Sequence, residues 1–264
     1  MVFQVSDIDE SQAPLLDHLI ELRIRLMRSI LALGVAFAIC LYFASDIFGF
    51  LIRPLTEAFP PGQGKLVYTK LYEAFFVELK VALFGGFMLA FPVIANQLWA
   101  FVAPGLYAKE KKAFLPFLFM TPVLFFAGAA LAYLVVMPTA FKWMLGFQGV
   151  KGGLNVEALP AAGDYLGLVM QFILAFGISF LLPVLLLLLN RAGNVRRKQL
   201  IGLRRYMIVL MAVIAAIITP PDIVSQILLL VPLVLLFEGA LLVMWLGERR
   251  ESNATGTELA PPPA

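Results

Sequence analysis

Two glutamates stand inside basic sequence. Glu21 lies in His18-Leu19-Ile20-Glu21-Leu22-Arg23-Ile24-Arg25, and Glu110 in Leu106-Tyr107-Ala108-Lys109-Glu110-Lys111-Lys112. Two chemistries fit such carboxylates. Each can be the internal ion-pair partner of a neighbouring lysine or arginine. Each can equally be a receptor for an arginine-bearing ligand, because a guanidinium fork pairs with a carboxylate in a geometry that lysine cannot reproduce. Surrounding cations would keep either carboxylate ionised. A third acid, Glu238, stands well inside an apolar run. An ionisable group there marks a functional site, unless it reaches the interface or pairs with Arg204 or Arg205. No catalytic residues are expected. With one histidine, His18, and one cysteine, Cys40, the chain offers no His/Cys metal site, no disulfide and no nucleophile–base pair. It has no Gly-rich phosphate loop and no GK[ST], so neither cofactor use nor nucleotide-driven work is expected.

The elements that must position these residues are membrane helices. Hydrophobic residues make up 61% of the 264, charged residues 14%, and mean hydropathy is +0.92. A water-soluble core cannot absorb that excess, so lipid must solvate much of the surface. A span needs roughly 20 apolar residues, and backbone in lipid must be helical. Six spans are predicted, at about 26–45, 75–101, 114–137, 165–190, 206–219 and 223–246. Prolines 92, 116, 122, 183 and 232 fall inside them and favour bent helices, so the expected fold is an all-α integral membrane protein forming a concave bundle. The fifth and sixth helices are short. Only 16 residues separate Arg205 from Asp222, and their helical part covers about 20 Å. Residues 1–248 are expected to form one membrane domain, and 249–264, ending in three prolines, a disordered tail. Between the first two spans, short helical pieces around a turn are expected.

Fourteen of the 20 lysines and arginines fall near the termini and in the loops around 105–113 and 190–205, and six fall on the opposite side. The positive-inside rule places both termini in the cytoplasm and explains the basic clusters by topology rather than by nucleic-acid binding. Asp7, Asp9, Glu10 and Asp17 are the wrong charge for a cleaved signal, so the first apolar segment is expected to stay as an anchor.

From about Leu15 to Trp245 the chain resembles the TatC family, the multispanning subunit of the twin-arginine protein translocase. The resemblance rests on several segments in order. They are the run from His18 to Arg25, then Arg53-Pro54-Leu55, then Trp99-Ala100-Phe101-Val102-Ala103-Pro104-Gly105-Leu106-Tyr107 followed by Glu110. Thr219-Pro220-Pro221-Asp222-Ile223-Val224-Ser225-Gln226 and Phe237-Glu238 complete it. The resemblance implies a receptor in the bacterial inner membrane that binds twin-arginine signal peptides and helps move folded proteins across the membrane on the proton-motive force. It implies that Glu110 and Glu21 receive the arginine pair and that Phe101, Arg23 and Arg25 shape the patch. Asp222 and Gln226 would lie where the single-span partners TatA and TatB dock, Pro54 and Glu238 match family positions, and the receptor would contain further copies of this chain.

One departure stands out. Many family members carry a glutamate in the fourth span just before a Val-Pro pair, and here Leu181 replaces it in Phe180-Leu181-Leu182-Pro183. The alternative of a small-solute secondary transporter would need mid-membrane charges and repeated halves with broken helices. No internal repeat is evident, and Glu238 is the sole acid of that kind in the spans.

Overall fold

The structure, a computed structural model, describes the backbone of residues 9–60, 64–106, 111–191, 193, 195–219 and 222–258. The described residues are mostly helical and pack as two compact units. The first comprises those of Met1–Phe50 and Phe75–Pro122, the second those of Leu51–Ala74 and Val123–Ala264. Among the described residues, five helical stretches are long and apolar enough to cross a membrane.

The first unit holds α1 (Asp9–Tyr42), the start of α2 (Ala44–Ala58), nearly all of α3 (Glu73–Leu106) and the start of α4 (Lys111–Leu131). Helices α1 and α3 pass backbone to backbone. A Cβ on Gly86 would stand 2.8 Å from the Phe37 backbone, so only glycine permits the approach. Cys40 is buried beside that crossing. At the far end of α3 the Trp99 indole N–H donates to the Thr121 hydroxyl at 2.8 Å, and that hydroxyl donates to the Phe117 carbonyl at 2.7 Å. This chain satisfies two polar groups that would be costly in an apolar surrounding.

The second unit continues the third span. Helix α4 slips through a π-turn at Ala132–Val136 into α5 (Met137–Leu145). Pro138, at the start of α5, has no N–H to donate, and the π-turn re-registers the ladder there, carrying the helix past the boundary expected near residue 137. A two-stranded hairpin follows, β1 (Gly149–Lys151) against β2 (Leu154–Val156), turned at Gly152 and Gly153 with φ of 60° and 86°. The fourth span, expected as one run, is two helices, α6 (Ala162–Ser179) and α7 (Leu182–Arg191). Pro183 has no N–H to donate to the Ser179 carbonyl and its ring crowds that carbonyl, so the chain turns at Phe180-Leu181. Leu181 therefore sits on a helix break. By contrast, prolines 54, 92, 104, 116, 122 and 232 lie inside helices that run through them.

Helices α8 (Arg197–Gly202) and α9 (Arg204–Ile218) lead to α10 (Ile223–Glu258), which packs on α7, α8 and α9. At 15 residues α9 is as short as the sequence predicts, whereas α10, expected to be short as well, runs for 36 residues because the helix continues past the apolar run. Helix α10 runs on to Glu258, past the end of the membrane domain expected at residue 248. Arg197 Nε donates to Glu248 at 2.8 Å, and the Arg249 guanidinium lies 4.5 Å from the Trp245 ring, so this turn is anchored at two points. The core of this unit is aromatic, with Phe125, Phe172, Phe176 and Phe237 fully buried. A Cβ on Gly128 would lie 2.5 Å from the Phe176 carbonyl oxygen, so α4 and α6 touch through backbone.

Candidate functional site

Helical spacing sorts the residues of α1. His18, Glu21, Arg25 and Ser29 recur at steps of three and four and share one face, whereas Arg23, two residues from Glu21, points elsewhere. Arg25 reaches back one turn, and its Nε donates to Glu21 Oε1 at 2.9 Å while its Nη2 bonds the same oxygen. The Ser29 hydroxyl donates to the Arg25 carbonyl at 3.0 Å. Glu21 Oε2 has no hydrogen bond among the described residues, and His18 Nδ1 stands 4.0 Å from it. The Glu21 side chain is 34% exposed.

The His18 ring is stacked on Phe101 of α3, with centroids 4.3 Å apart and planes 17° from parallel. The structure thus brings Glu21, Arg25 and Phe101 together through His18. Arg23 is exposed and takes no part in this cluster, and Glu110 lies outside the described residues. His18 was read from sequence only as a lone histidine. Its spacing three residues before Glu21 was the available signal, whereas its partner Phe101 was not legible.

The residues assigned to partner docking or structure all belong to the second unit. Pro54 is buried within α2. Asp222 caps α10, its Oδ1 accepting the Ser225 N–H at 2.7 Å. Its Oδ2 is buried without a partner among the described residues, as is the Ser225 hydroxyl. Gln226 Nε2 donates to the Ala212 carbonyl of α9 at 3.4 Å. Glu238 accepts from Arg204 Nη2 at 2.8 Å, which is the interfacial pairing left open by the sequence. This pair ties the start of α9 to α10.

Sequence reasoning missed Glu73, the first residue of α3, which precedes the apolar run starting at Phe75. Its Oε1 accepts the Gly163 N–H at 2.8 Å. Its Oε2 accepts the Thr69 N–H at 2.6 Å, the Thr69 hydroxyl at 2.9 Å and the Lys70 N–H at 3.2 Å. The Gly163 and Thr69 amides lead the stabilisation of the charged form and lower its pKa to about 2. Nearby, Val67 bridges Ala161, its carbonyl accepting the Ala162 N–H at 2.8 Å. The Tyr165 hydroxyl donates to the Leu51 carbonyl at 2.9 Å. Among the described residues no group of three or more His, Cys, Asp or Glu could hold a metal ion.

Comparison with known proteins places these geometries. Residues 17–232 match the family model described as Sec-independent protein translocase protein (TatC). The protein of that name from Magnetococcus marinus is 52% identical over 229 residues, covering 87% of this chain and 83% of its own length. Its counterpart from Escherichia coli is 38% identical over 229 residues, covering 87% of each. Among solved structures, a crystal structure of a twin-arginine translocase receptor TatC superposes with a TM-score of 0.75 at 38% identity, covering 86% of this chain and 98% of that one.

Proposed function

The chain belongs to the TatC family of Sec-independent protein translocase proteins, and from that premise we propose that it is a receptor whose Glu21 and Glu110 take the arginine pair of a signal peptide. As a family member it is a translocase component rather than a catalytic enzyme. It is a multi-pass protein of the bacterial inner membrane and works in a complex with other Tat subunits.

The observation that carries the receptor reading is the state of Glu21. One oxygen already accepts a guanidinium, from Arg25, and the other has no hydrogen bond among the described residues. The site therefore accepts the chemistry that the substrate offers and has an acceptor to spare. Phe101 supports the cluster through His18. Arg23, exposed on another side of α1, contributes positive field rather than a contact within it.

The termini and basic loops face the cytoplasm, as the distribution of lysine and arginine supports. Bound signal peptide then inserts its apolar part beside the helices. TatA and TatB dock along α9 and α10 near Asp222 and Gln226, where two buried polar groups, Asp222 Oδ2 and the Ser225 hydroxyl, await a donor or acceptor. The 15-residue α9 thins the bilayer locally. Further copies of the chain complete the receptor, and the proton-motive force drives transport. The positions of Pro54 and Glu238, buried in α2 and paired to Arg204, fit structural roles.

The test is photo-crosslinking of a twin-arginine signal peptide to the chain in native membranes, beside a twin-lysine control and a Glu110→Ala variant. Crosslinks that require both the arginines and Glu110 are expected. Equal crosslinking of the lysine control would overturn the receptor reading and leave an assembly scaffold.

A further inference from the structure

The only histidine of the chain makes a contact that the receptor reading does not use. Its ring is held against Phe101 by parallel stacking, and the two residues lie on different helices, α1 and α3. One face of the imidazole is therefore covered. Half of the side-chain surface nevertheless remains exposed, at 50%. The edge of the ring carrying Nδ1 looks toward Glu21 Oε2, 4.0 Å away. That distance is beyond a hydrogen bond, so His18 does not consume the oxygen it faces. Arg25 is confined to the other oxygen.

Three features thus converge on one spot: an exposed aromatic surface backed by Phe101, an adjacent carboxylate oxygen with no hydrogen bond among the described residues, and an internal arginine that leaves that oxygen alone. A planar guanidinium suits this arrangement. It stacks flat on an aromatic ring while its N–H edge donates in the plane to a carboxylate. An ammonium is a compact, strongly hydrated point charge with no plane to stack, so it gains less from the ring than a guanidinium does.

We propose that the stacked pair His18–Phe101 is the platform on which one guanidinium of the signal peptide lies while donating to Glu21 Oε2, and that His18 thereby sets the preference for arginine over lysine. The proposal rests on the receptor reading above and adds the residue that makes the carboxylate selective. Phe101 acts from behind by fixing the ring.

The test is equilibrium binding of fluorescent twin-arginine and twin-lysine signal peptides to the full chain in native membranes, as the ratio of the two affinities. His18→Leu fills the site without a ring, His18→Phe keeps one, and Glu21→Gln is run beside them. The ratio should fall about two- to fivefold in His18→Leu, the size of a partly exposed cation–ring contact. His18→Phe should restore most of it, and lysine-peptide binding should change less than arginine-peptide binding in His18→Leu. A merely structural histidine would weaken both peptides together and leave the ratio fixed, which would overturn the proposal, as would failure of His18→Phe to recover it. A wild-type ratio near one would instead defeat the receptor reading itself. A ratio that falls in Glu21→Gln but not in His18→Leu would defeat the platform alone.

Discussion

Glu73, the first residue of α3, and Glu21, in the body of α1, are both helix carboxylates, and they are finished to different degrees. Glu73 uses both oxygens on four donors, three of them backbone N–H groups. It joins Thr69 and Lys70 to Gly163, which is 90 residues away in sequence. Glu21 uses one oxygen on a guanidinium one turn along its own helix and leaves the other facing His18 without a bond. A fully satisfied carboxylate contributes to the fold, since every donor it serves would otherwise be left short. A half-satisfied and partly exposed one costs little to maintain and keeps an acceptor for a ligand. Saturation of its hydrogen bonds separates the structural acid from the acid proposed as a receptor.

That contrast can be attacked from its strong end. Glu21→Gln should weaken twin-arginine peptide binding by about tenfold or more, the worth of a hydrogen bond to a charged group, measured by titration in native membranes. Thermal unfolding should scarcely move, because the remaining Glu21–Arg25 contact is a part-exposed pair within one helix. Glu73→Gln should do the reverse. Its amide must turn an N–H₂ either toward Gly163 or toward the donors of Thr69 and Lys70, so donor meets donor. A clear fall in the melting temperature of the purified chain is expected, with peptide affinity unchanged.

The same cluster predicts a pH dependence. Glu73 has its folded pKa lowered from 4.5 to about 2, so the folded state favours the ionised form. Its contribution is then fully present above about 4.5 and lost as pH falls toward 2. Subtracting the acid-unfolding curve of Glu73→Gln from that of the parent should show the loss in that window. The smallest effect is expected at a pair between these extremes. Arg204 and Glu238 join α9 to α10 while remaining 49% and 39% exposed. A double-mutant cycle on their thermal stability should give a coupling of roughly 0.2–1 kcal/mol, screened by salt.

Much of this arrangement was legible in the sequence, because long apolar runs must be helices in lipid. The long helices and the shortness of α9 followed from that constraint and from the charges that end the runs. Proline was read too uniformly. Pro92 and Pro232 sit within unbroken helices, whereas Pro183 parts α6 from α7 and Pro138 coincides with a π-turn. Which prolines break a ladder depends on whether neighbours can accommodate the freed carbonyl, and local sequence does not encode this. The hairpin Gly149–Val156 and the bridge from Val67 to Ala161 were also missed. Their strands are three residues or fewer, too short for a period of two to register.

The candidate site divides in the same way. An ion pair of Glu21 with a neighbouring cation was one of the two chemistries the sequence offered. The stacking of His18 on Phe101 spans two helices, and the Glu73–Gly163 bond joins distant segments. No local pattern announces either contact. The resemblance that drew attention to Arg23 did not fix its direction, which the helical turn sends away from Glu21.

The most direct test sets the two glutamates side by side. Glu21→Gln and Glu73→Gln would each be measured for twin-arginine peptide affinity and for melting temperature in one preparation. The account predicts a crossed result: Glu21→Gln loses affinity and keeps its melting temperature, and Glu73→Gln keeps affinity and loses melting temperature. If the two variants change both properties alike, or if Glu21→Gln binds the peptide as the parent does, the distinction between a finished and an unfinished carboxylate is wrong.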